Sequence, residues 1–138
     1  MITILLVRHA DIDLPPASAD PGLNDAGRER AAALAHVVRG AGVNRVFTSA
    51  YRRTKETVAR VGVEAREMPD AVAKELVDGD VVLIAGHSNT VPAVIGELGV
   101  DGPLPVIGET EFDNLFVVTV GDSAGLVTLK YGKEPGTP

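Results

Sequence analysis

With 138 residues, 45% of them apolar, the chain is long enough to bury a genuine core, and residues 1–138 are expected to form one domain. A net charge of −6 and an aromatic set of three Phe, two Tyr and no Trp argue against a nucleic-acid partner, which calls for a basic surface and stacking rings. The absence of Cys excludes disulfides, thiolate metal sites and cysteine nucleophiles.

Met1 runs straight into Ile2–Val7, an apolar or β-branched stretch that ends in the cationic pair Arg8-His9. No leader fits ahead of it, and no apolar run approaches the ~18 residues that span a membrane, so a cytoplasmic protein without membrane partners is expected. A run without polar alternation predicts a strand buried on both faces of a parallel sheet, and the carboxyl end of such a strand is where open α/β sheets bind ligands. The Pro- and Asp-rich stretch Asp11–Leu23 predicts a long loop, a kind that is often functional. Asn24 then caps a helix to Arg39, with Ala31, Leu34, Val37 and Val38 on its apolar face and Arg28, Glu29, His36 and Arg39 in solvent.

Val43–Thr48 predicts a strand, with Ser49 capping a helix from Ala50 to about Val61. Val63–Glu67 predicts a strand, Pro69–Val77 a short helix and Asp80–Ala85 a second buried strand. The turn Gly86–Thr90 leads into a helix to Leu98, with Pro92 in the first turn. A long loop, Gly99–Glu111, precedes Phe112–Val120 and Leu126–Tyr131, which bracket Gly121–Gly125 as a hairpin; Lys133–Pro138 is a frayed tail. The alternation predicts an α/β fold, a three-layer α/β/α sandwich with a mostly parallel central sheet and a C-terminal antiparallel hairpin. Right-handed crossovers then bring Arg8-His9, Ser49 and Gly86-His87 to one edge of the sheet.

That convergence points to anion chemistry. Arg8 and Arg53 can hold a phosphoryl group with two planar forks, and the helix starts beyond Ser49 and His87 add backbone donors. An imidazole is a good neutral nucleophile near pH 7 and a good leaving group, which makes His9 the candidate phosphoryl acceptor. His87 faces the same group and donates to an oxygen whose charge grows in the transition state. Ser88 is counted with Arg8, Arg53 and His87 as phosphate-binding. Such a site calls for no metal and no cofactor.

LVRHA at Leu6–Ala10, SAYRRTKET at Ser49–Thr57 and GHSNT at Gly86–Thr90, in this order, resemble the histidine phosphatase superfamily, the phosphoglycerate-mutase-like group. Leu23–Gly27 resembles the family's Leu-Thr-x-x-Gly segment with Asn in place of Thr, and Glu111–Leu115 resembles the start of a strand near the family site. The resemblance implies that His9 is the phosphorylated nucleophile and that Arg8, Arg53 and His87 complete the catalytic set. Mutases and many broad phosphatases of the group carry an acidic Glu in an insert after the second motif, and the short span between Val61 and Asp80 has no room for it. Asp11, Glu67, Glu111 and Asp113 are the candidate proton donors, with Asp13 and Glu109 also within the two long loops. The expected activity is a phosphoric monoester hydrolase acting, through phosphohistidine, on a small phosphorylated metabolite or a phosphoprotein side chain. A mutase-type phosphotransferase and a non-catalytic phosphoryl-binding module are the alternatives; oligomeric state stays open.

Overall fold

The computed structural model describes residues 1–134, so the end of the expected tail lies outside the described residues. The elements run β1 (Ile2–Arg8), α1 (Asp25–Val38), β2 (Arg45–Thr48), α2 (Arg52–Val58), β3 (Ala65–Glu67), a 3-10 turn (Val72–Glu75), β4 (Val81–Gly86), α3 (Thr90–Glu97), β5 (Asn114–Val120) and β6 (Ala124–Lys130). They build one six-stranded sheet in the order β3-β2-β4-β1-β5-β6. The first four are parallel neighbours, while β5 runs antiparallel to both β1 and β6.

Side chains of successive strand residues point to opposite faces, and both faces of this sheet are covered. Ile4, Leu6, Val82, Ile84 and Phe116 pack on one side with Val91, Val94 and Ile95 of α3. Leu5, Val7, Val46, Leu83 and Leu115 pack on the other with Leu34 and Val38 of α1 and Val58 of α2. The unbroken apolar runs of β1 and β4 follow from this, since a strand between two helical layers has no solvent face. The pairing of Arg8 with Gly86, and of Thr48 with Ala85, sets the carboxyl ends of β1, β4 and β2 side by side.

Several elements differ from expectation. The stretch from Pro69 to Val77 forms only the 3-10 turn, because Val72 is its sole fully buried apolar residue and so short a helix is marginal without a packed face. The hairpin turn is tighter than Gly121–Gly125, because Ala124 and Gly125 pair with Val120 and Thr119. On α1 the buried stripe is Gly27, Arg30, Ala31, Leu34 and Val38, while Val37 is exposed. Asn24 caps α1 as expected, accepting the Gly27 amide on its side-chain oxygen at 2.9 Å. Ser49 does not cap α2: that helix opens at Arg52 with Tyr51 in the cap position, and the carboxylate of Asp20 accepts the Arg52 amide at 3.0 Å.

Candidate active site

Arg8, His9, Arg53, His87 and Ser88 line a single cavity of about 510 Å³ at the carboxyl edge of the sheet. The loop after β1 forms one wall through Ile12, Pro16, Ser18, Ala19 and Pro21. This wall is anchored at both ends. The Asn24 amide donates to the Asp11 carbonyl at 3.0 Å, the buried Arg30 pairs with the Asp11 carboxylate, and the Leu23 amide donates to Glu56 of α2.

Arg8 is buried and oriented by the second long loop. Its Nη1 donates to the carbonyls of Gly108 at 3.1 Å, Glu109 at 2.8 Å and Glu111 at 3.0 Å, and its guanidinium lies 4.2 Å from the Phe112 ring centre. Its Nε is buried with no partner among the described residues. A buried N–H of this kind is costly unless something accepts from it, which suits a site built for an anion. The Arg53 guanidinium makes no hydrogen bond among the described residues and sits 4.4 Å from the Tyr51 ring centre. Among the described residues, two cationic forks and no carboxylate line the cavity.

The histidines are set by α2 and by the backbone. His9 Nδ1 lies 2.8 Å from the Ala10 carbonyl oxygen, so Nδ1 carries the proton and Nε2 keeps its lone pair. The Ala10 amide in turn donates to Thr57 Oγ1 at 2.8 Å, which fixes the strand end against α2. Burial, countered by the Ala10 bond and helped by Arg8, His87 and Arg53, pushes the His9 pKa down from 6.5 to about 4, so the ring is neutral near pH 7. His87 stands 5.5 Å from His9 between ring centres, and burial, then Arg53 and Arg8, hold its pKa below the ordinary value. A neutral imidazole with a free Nε2 between two guanidinium groups can attack an anion that those groups hold.

The acidic candidates lie elsewhere. Asp11 is held by Arg30 at 2.6 Å, Glu111 and Asp113 both pair with Lys130 at 3.2 Å, and Glu67 is exposed on the edge strand β3. None of them lines the cavity, nor do Asp13 and Glu109. Sequence reasoning missed Thr54, Thr57 and Tyr51. The threonines stand one helical turn apart, on the side of α2 that faces the sheet edge, a spacing that could have marked them.

A family model described as histidine phosphatase superfamily, branch 1, matches residues 4–90, which takes in β1 with Arg8-His9, α2 with Arg53, and His87. The chain belongs to the histidine phosphatase superfamily. Among solved structures, the protein histidine phosphatase SixA complexed with tungstate is similar at 20% identity over 93% of this chain and 96% of that one, with a TM-score of 0.76. SixA from Nakamurella multipartitia is similar at 24% identity, covering 98% and 96% of the two chains, with a TM-score of 0.67. A mycobacterial glucosyl-3-phosphoglycerate phosphatase in complex with inorganic phosphate is similar at 18% identity over 91% and 94%, with a TM-score of 0.65. No curated protein sequence matches the chain. At these identities the structures speak for a shared histidine phosphatase fold.

Proposed function

We propose that this chain is a metal-independent phosphatase, a phosphoric monoester hydrolase that works as one domain in the cytoplasm through a phosphohistidine intermediate on His9. The observation that carries this reading is the state of His9. It is neutral, tautomerically fixed by Ala10 with Nε2 free, and set in a cavity lined, among the described residues, by two arginines and no carboxylate. Arg8 and Arg53 clamp the phosphoryl oxygens, with His87 and Ser88 completing the cradle. His9 Nε2 displaces the leaving group, and water then displaces His9 from phosphorus.

The substrate is a small phosphoester or a phosphorylated protein side chain. An open edge-of-sheet cavity admits either, and SixA is by name a protein histidine phosphatase. The lack of a carboxylate among the described residues that line the cavity favours substrates whose leaving group departs easily, such as the imidazole of a phosphohistidine or the carboxylate of an acyl phosphate. It also weighs against the mutase-type phosphotransferase, whose acid has no counterpart in this lining. Hydrolysis of p-nitrophenyl phosphate in the presence of a chelator is the expected result, and His9→Asn abolishes it. Dependence on an added divalent ion, or full activity of His9→Asn, contradicts the proposal.

A further inference from the structure

His9 and His87 are held by partners of different kinds. The Ala10 carbonyl, 2.8 Å from His9 Nδ1, can only accept, so His9 has one tautomer. His87 Nε2 lies 2.8 Å from Ser49 Oγ, and a hydroxyl can donate or accept. Behind Ser49, at 2.8 Å, stands the hydroxyl of the fully buried Thr54, itself within reach of two carbonyl oxygens, that of Tyr51 at 2.9 Å and that of Ser49 at 3.2 Å.

We propose that Ser49 and Thr54 are positioning residues that form a reversible hydroxyl relay behind His87, allowing this ring to carry the proton exchanged with the leaving group. The proposal rests on the phosphatase reading above. In one polarity Thr54 donates to Ser49 and Ser49 donates to Nε2, so a neutral His87 keeps its proton on Nδ1, the nitrogen without a partner among the described residues. In the other, the imidazolium Nε2–H donates to Ser49, Ser49 donates to Thr54, and Thr54 turns to the Tyr51 or Ser49 carbonyl. Every hydroxyl hydrogen has an acceptor in both states, so His87 gains or loses a proton without breaking the chain. A carbonyl in place of Ser49 would allow only the states with a proton on Nε2.

The charged and titratable groups that share the cavity with His87 are Arg8, Arg53, His9 and Tyr51, whose ring lies edge-on to His87 at 5.3 Å between centres, and among the described residues no carboxylate competes for the task. Both arginines disfavour the imidazolium, and a phosphoryl dianion set among them opposes that bias, which couples protonation to substrate binding. In the first step the bond from His9 Nε2 to phosphorus forms, the bond to the leaving oxygen breaks, and the His87 imidazolium passes its Nδ1 proton to that oxygen, which leaves the ring neutral with its remaining proton on Nε2 toward Ser49. In the second, water attacks phosphorus, the bond to His9 breaks, and the proton of the attacking water returns to His87.

Imidazole 15N spectra recorded with added inorganic phosphate test the relay directly. In the unmodified chain phosphate is expected to convert His87 to the two-donor imidazolium at a pH where His9 stays neutral. Ser49→Ala and Thr54→Val lose this response, and Ser49→Thr keeps it. In kinetics, Ser49→Ala loses roughly 10²-fold more kcat/KM on an alkyl phosphate than on dinitrophenyl phosphate, whose leaving group needs no proton. A His87 that stays neutral with phosphate bound, or an equal loss on both substrates, overturns the relay. Because the spectra need no turnover, an intact His87 response in a chain that hydrolyses neither substrate overturns the phosphatase reading and supports the relay.

Discussion

Arg30 reaches from the buried face of α1 to the carboxylate of Asp11, at 2.6 Å, and to the carbonyl of Tyr131, at 2.9 Å, so one guanidinium ties the cavity wall to both a helix and the end of the hairpin. Removing one member of a buried pair strands the other charge. Arg30→Met is expected to destabilise the chain by about 3 kcal/mol in denaturant titration. Asp11→Asn combined with Arg30→Met recovers part of that loss, because the stranded carboxylate is gone.

Stability should also fall in mild acid because of His9. Its pKa lies near 4 in the folded chain against an ordinary 6.5, so between these values the unfolded chain binds a proton that the folded chain refuses. The His9 contribution is fully present above pH 6.5, is lost as pH falls through the window, and reaches about 3 kcal/mol of destabilisation at its acid end. His87, also shifted down, acts in the same direction. Denaturation midpoints measured across pH 4 to 6.5 should slope less steeply in His9→Asn, which keeps a donor for the Ala10 carbonyl.

Arg53 gives a cleaner separation of function from stability. Its guanidinium spends no hydrogen bond on the described fold, and its stacking on the half-exposed Tyr51 is worth little. Arg53→Ala should lower kcat/KM by roughly 10²-fold while shifting the unfolding midpoint hardly at all. Arg53→Lys recovers the charge but not the planar fork, and only part of the rate returns.

The Tyr131 hydroxyl is buried in the α1 and α2 layer with no partner among the described residues, and burial pushes its pKa well up. Tyr131→Phe removes an unsatisfied polar atom while keeping the ring, so the thermal midpoint should rise, by an amount corresponding to about 1 kcal/mol.

The layer order and the gathering of Arg8, His9, Arg53 and His87 could be read from the chain because parallel strands buried on both faces announce themselves as continuous apolar runs, and their carboxyl ends converge by topology. On α1 Ala31, Leu34 and Val38 lie inside as expected, and only Val37 does not. Its true stripe includes Gly27 and Arg30, neither of them apolar, and what makes each belong inside is a distant partner. A Cβ at Gly27 would stand 2.2 Å from the Asp11 carbonyl oxygen, and Arg30 is buried only because Asp11 neutralises it. Ser49 shows the same limit. Locally it has the chemistry of a helix cap, and the imidazole that claims it lies at the end of another strand. Asp11, Glu111 and Asp113 fall short of the cavity because Arg30 and Lys130 hold them, and Glu67 because β3 carries it away, placements that no spacing along the chain displays.

The central claim is that His9 Nε2 takes the phosphoryl group. Rapid quench of the chain with p-nitrophenyl phosphate, followed by peptide mass spectrometry under alkaline conditions, should find one phosphate on His9, stable in base, lost in acid and absent from His9→Asn. Turnover with no phosphate on His9 at any quench time, or phosphate found instead on His87, contradicts it.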